Sequence, residues 1–167
     1  MTFLRILSAT AAITCLALAP SAQARESLGL YGTWGAFRDP LVPRCYAIAK
    51  AEPSAKRRDY EPYAAIGTWP KRGARGQVHF RLSRKLAQNA VITLRVGDRR
   101  LQLTGGGGDA WPRSDADNAA ISAAMRSART MTIGARDDRG LPFGDTYVLP
   151  GAASAMDAAL IGCARLR

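Results

Sequence analysis

The chain has 167 residues, with 24 Lys+Arg against 13 Asp+Glu, a formal charge of +11 at pH 7, and one histidine. Glycine and proline are dispersed and apolar residues recur throughout, which excludes a disordered or low-complexity chain. A single histidine and three cysteines leave little from which to build a metal centre or a conventional catalytic base.

The first segment reads as a secretory leader. Arg5 supplies its one positive charge, residues 6–19 are apolar apart from Ser8, Thr10 and Thr14, and Pro20 breaks the run. Ala22-Gln23-Ala24 then places small residues where a signal peptidase needs them, so residues 1–24 are expected to be removed. The apolar run is too short for a membrane-spanning helix, which needs about 20 residues. Ala12-Ile13-Thr14 before Cys15 does not resemble a lipobox. The remainder, residues 25–167, fits one domain large enough to bury a core, with no transmembrane segment expected and a periplasmic or extracellular location.

In chain order, residues 31–37 read as an aromatic-rich strand and residues 44–50 as a second, with Cys45 near its start. Residues 52–59 are a polar loop carrying Lys56-Arg57-Arg58, and residues 63–69 a third strand ended by Pro70. Residues 71–76 form a basic turn. In residues 77–82, Val78, Phe80 and Leu82 share one face and His79 and Arg81 the other.

The clearest local structure is a hairpin of residues 90–96 and 99–104 about Gly97-Asp98, whose leading glycine suits a type II′ turn. That turn sets Val96 opposite Arg99, Leu94 opposite Leu101 and Ile92 opposite Leu103. It also sets Arg95 opposite Arg100, a like-charge pair that destabilises a sheet. A nearby acid, a bound anion or splaying into water relieves such a pair, and the last is the commonest. Arg95, Arg99 and Arg100 are the candidate anion-contacting residues. The glycine run 105–108 lacks the ending of a phosphate loop and reads as a flexible connector.

Ser114 is placed to cap a helix reaching about residue 127, with Asp117 as its capping-box partner and Ala120, Ile121, Ala124 and Met125 as its buried stripe. Residues 129–136 and 143–149 read as strands joined by a turn at 137–140 with solvated carboxylates. A last helix after Pro150-Gly151 brings Met156, Ala159, Leu160 and Cys163 to one inward face. The fold class expected is mainly β: an antiparallel, sandwich-like domain with two short helices in the C-terminal third.

With Cys15 gone, Cys45 and Cys163 are the only thiols left, and an oxidising compartment favours a single disulfide between them. A free catalytic thiol is the alternative. No catalytic, cofactor-binding or metal-ligating set emerges. His79 reads as a lone surface histidine, no Gly-x-Ser-x-Gly elbow is present, and Asp137-Asp138 near Asp145 lacks calcium-loop spacing. The paired basic residues attract anionic surfaces, but they are scattered and no aromatic ladder accompanies them, so nucleic acid is not an expected partner. A solvated basic surface is the plainer reading of the charge.

One stretch has a familiar pattern: Ala119-Ala120-Ile121-Ser122-Ala123-Ala124-Met125-Arg126, Thr130-Met131-Thr132-Ile133, Arg139-Gly140, Asp145-Thr146-Tyr147-Val148-Leu149-Pro150-Gly151, Ala155-Met156-Asp157-Ala158 and Cys163. Within residues 119–163 the chain resembles the invasion-associated locus B family, exported proteins of Gram-negative bacteria first linked to entry into host cells. It departs from the family pattern at Ala152, where an aromatic residue usually follows the glycine. The resemblance implies a mostly antiparallel β fold, a periplasmic or surface location and no known enzymatic activity, and it carries over no binding residue. Three functions are open: a non-enzymatic envelope protein of this family, a cationic binder of anionic envelope polymers or lipid headgroups, and a hydrolase with an unrecognised site.

Overall fold

The computed structural model describes residues 25–164. The expected leader, residues 1–24, lies outside them. Ten strands form one antiparallel sheet: β1 (Glu26–Tyr31), β2 (Trp34–Asp39), β3 (Arg44–Lys50), β4 (Tyr63–Trp69), β5 (Ala74–Arg81), β6 (Ile92–Val96), β7 (Arg99–Gly106), β8 (Asp109–Pro112), β9 (Thr130–Arg136) and β10 (Pro142–Val148). Their order is β1-β2-β3-β4-β5-β8-β7-β6-β9-β10. Two helices, α1 (Asp115–Met125) and α2 (Ala152–Cys163), complete the mainly β fold expected from the sequence.

The two layers are halves of the same sheet. It folds over on itself, so that Phe80 of β5 meets Tyr147 of β10 with ring centroids 6.4 Å apart. The Trp34 indole on β2 donates to the Val148 carbonyl at the end of β10 over 2.8 Å. Alternation builds the inner face: Val78 and Phe80 on β5, Ile92, Leu94 and Val96 on β6, and Met131 and Ile133 on β9 are all buried. Along β2–β4 that face is small, with Ala36, Ala47, Ala49 and Ala64 all buried. Short side chains let a helix lie close, and α2 packs there with Ala152, Ala155 and Ala159 against β1–β4.

The Gly97-Asp98 hairpin has the register read from the sequence, including Arg95 opposite Arg100. Gly97 takes φ +54° and Asp98 does not take a positive φ, as a II′ turn requires. The Ser114 hydroxyl accepts from the Asp117 backbone N–H at 3.1 Å, so the cap also forms. Cys45 and Cys163 are disulfide-bonded with Cα atoms 5.6 Å apart, stapling α2 to β3.

Four expectations need correction. Residues 31–37 are not one strand, because Gly32-Thr33 turns the chain between β1 and β2. The 105–108 run is not a loose connector: Gly105 and Gly106 belong to β7, and the chain turns at once into β8. A Cβ on Gly105 would stand 2.2 Å from the Asp109 carbonyl oxygen, so glycine serves a close backbone approach there. Within residues 71–76, a short 3-10 turn at Pro70–Arg72 gives way to β5 already at Ala74. Leu160 is 49% exposed rather than buried. A short helix on an alanine-lined sheet buries a narrow stripe, and Leu160 lies about 100° around the helix from the buried Ala159.

Candidate functional site

The described residues offer two places with chemistry. The first is a cavity of about 400 Å³ between the 52–59 loop, the segment after β5 and the start of β10. Asp145 reaches it because β10 alternates Phe143, Asp145 and Tyr147 on the inner face, which puts a carboxylate among core residues, 2% exposed. Its Oδ2 accepts the Ser83 backbone N–H at 2.8 Å, and the Ser83 side chain also favours its charged form. Burial nonetheless pushes the Asp145 carboxyl above the ordinary range against these bonds and the charge of Arg58. Among the described residues Arg58 makes no ion pair within 4.0 Å. Behind Asp145, burial and the Asp145 charge push the Tyr147 phenol up, and its hydroxyl is buried without a hydrogen-bond partner.

Arg84 forms the cavity's other basic wall. It is 8% exposed, so it is not part of the solvated basic surface expected from the charge. Its guanidinium donates to the Asp137 carboxylate and, at 2.6 Å, to the Arg57 carbonyl. Asp137 is buried too, so the 137–140 turn does not hold only solvated carboxylates. Burial alone would raise the Asp137 carboxyl. The backbone N–H of Leu141, the Arg84 guanidinium and the backbone N–H of Arg139 outweigh it, and hold the carboxyl below the ordinary range.

These two carboxylates act on stability in opposite directions. Asp137, with its folded value below the unfolded 3.8, adds stability that is present above the unfolded value and lost as pH falls through the folded one. Asp145, with its folded value raised, removes stability as pH rises through its titration. Asp137→Asn is therefore expected to melt below wild type at pH 7, with the gap closing as pH falls well under about 4. Paired thermal melts from about pH 7 to about 2.5 measure this, and a gap that stays constant would contradict the assignment.

The second place is the outer face around the β6–β7 hairpin. Arg95 and Arg100 are exposed side by side, and among the described residues neither has an acidic group within 4.0 Å. Arg95 and Arg129 line one shallow cleft of about 360 Å³ with Thr130 and Thr132. Arg99 stands apart from them: it is opposite Val96, so its side chain leaves from the other face of the hairpin. Arg129, not singled out in the sequence, takes its place in the cluster.

His79 is half-buried rather than a free surface residue. Its ring stacks on Trp111 with centroids 5.2 Å apart, meets Tyr63 edge-on, and bonds Asp109 at 3.0 Å. Among the described residues no serine or cysteine bonds its ring. Among the same residues no group of three His, Cys, Asp or Glu is placed to hold a metal ion, and no helix is long and apolar enough to cross a membrane. No family model, no curated protein and no solved structure matches the chain.

Proposed function

We propose that the protein is an exported, non-enzymatic binding protein of the bacterial envelope, with affinity for anionic envelope polymers. The observation that carries this is the exposed cluster of Arg95, Arg100 and Arg129, which has no acidic partner among the described residues. Two like charges opposed in a sheet cost stability unless something relieves them, and a polyanion laid across the hairpin does so. The leader read in residues 1–24, the disulfide and the resemblance to the invasion-associated locus B family support an extracytoplasmic setting. Lipid headgroups are the second source of the same charge. The hydrolase reading has less support, since His79 is held between two rings beside Asp109 with no nucleophile bonded to it among the described residues.

The test is retention on a polygalacturonate matrix and on anionic vesicles. Arg95→Glu combined with Arg100→Glu is expected to weaken polymer binding about tenfold or more, because each basic residue near an anionic surface contributes about 1 kcal/mol. Wild-type binding should fade as salt rises. Equal binding by wild type and the double variant would refute the reading, and preference for vesicles over polymer would move it to lipid.

A further inference from the structure

The cavity beneath the 52–59 loop is chemically different from the outer arginine face. Its lining combines basic, acidic and apolar side chains. Arg58 and Arg84 supply the basic part. In each, the Nε–H is buried without a hydrogen-bond acceptor, and the nearest carboxylate to that of Arg84, Asp59, is 3.7 Å away. Guanidinium N–H groups rarely stay unpaired when buried, and they match the oxygens of a carboxylate. Other arms of both residues are already committed, Arg58 to the Glu52 carbonyl and Arg84 to Asp137 and the Arg57 carbonyl. Both side chains are therefore fixed in place before any ligand arrives.

Asp145 supplies the acidic part. The Ser83 backbone N–H donates to it, which leaves acceptor positions open on a group with about four. Arg58 influences this carboxylate by its charge yet forms no ion pair with it. Both line the same cavity and neither is paired with the other, so a molecule held there can meet both. Phe143 and Pro142 add apolar surface to the lining. A volume of about 400 Å³ falls within the range of small-molecule sites.

A bare anion satisfies only the arginines and meets Asp145 as a like charge. A neutral polyol satisfies only Asp145. We propose that this cavity binds an acidic sugar of the uronic-acid type, its carboxylate held by Arg58 and Arg84, a hydroxyl donated to Asp145, and its C–H face against Phe143. The site is separate from the Arg95–Arg100 face and does not depend on it.

Amide chemical shifts of the full processed chain, titrated with four probes, test this. Glucuronate is expected to shift Ser83, Arg84, Gly144 and Asp145 saturably. Glucose, which lacks the carboxylate, and acetate, which lacks the hydroxyls, are each expected to bind about tenfold more weakly, each having lost one set of charge-assisted bonds. Inorganic phosphate should also be weaker. Asp145→Asn should weaken glucuronate about tenfold while leaving acetate unchanged, and Arg58→Gln should weaken both. Glucuronate should still bind the Arg95→Glu, Arg100→Glu variant, which separates failure here from failure of the polymer reading. No saturable shift with glucuronate, or an equal response to acetate or phosphate, would overturn the proposal. The four probes act on the wild type, so they decide the matter even if a variant fails to fold.

Discussion

Replacing Cys45 and Cys163 together by alanine is expected to lower stability by about 2–5 kcal/mol. The bond joins residues 118 positions apart, so the unfolded state loses much of its freedom when it is present. Both cysteines are buried, 0% and 3% exposed, so reductant should act slowly until the domain opens. The partners sit on β3 and near the last turn of α2, and the helix holds the sheet mainly through alanines. Each alanine buries little apolar area, so the helix depends on the covalent tie more than a leucine-faced helix would. Urea unfolding of the double variant and wild type measures the difference. A shift in midpoint under about 0.5 kcal/mol equivalent would mean that packing alone seats the helix.

Trp34→Ala is expected to cost about 3–5 kcal/mol. Trp34 is fully buried, and its Nε1 bonds Val148 across the fold, linking the second strand to the end of the tenth. Removing the ring opens a cavity where the two halves of the sheet meet. Trp34→Phe keeps most of the ring and leaves the Val148 carbonyl without that donor, so it should cost about 1–3 kcal/mol. Denaturant melts of both variants check the ordering. Equal losses would assign the effect to the hydrogen bond alone, and losses below about 1 kcal/mol in both would show that the halves do not depend on this contact.

Local patterns made much of the fold legible. The hairpin register follows from one glycine and period-two alternation, and the Ser114 cap from the residues that precede an apolar-periodic run. Elements stabilised from outside were harder to read. β1 is an edge strand with Ser27, Gly29 and an exposed Leu30, and its own residues carry little strand signal. The glycines of β7 resemble a loop until β8 is known to run beside them.

The candidate site divides the same way. Arg95 and Arg100 were placed together by the turn, while Arg129 joined them only through the β6–β9 pairing. Arg58 and Arg84 were hidden among other basic pairs, because burial of an arginine depends on partners remote in sequence, as with Asp137, 53 positions from Arg84. Asp145 did leave a trace. It stands between Phe143 and Tyr147 in strict alternation, so a carboxylate had to face inward with them, and a charge in that position calls for a dedicated environment.

The placement of α2 also governs when the molecule can fold. The helix that covers β1–β4 comes after all ten strands in the chain, so those strands leave the ribosome before the element that buries their alanine-lined face. They are nearest neighbours in sequence and can pair early, yet the pairing gains its cover only after the rest of the sheet has been synthesised. A nascent chain of this topology lacks that cover until α2 has been made. The export proposed above is served by that order, since a chain whose first strands closed independently would arrive at a membrane pore already folded.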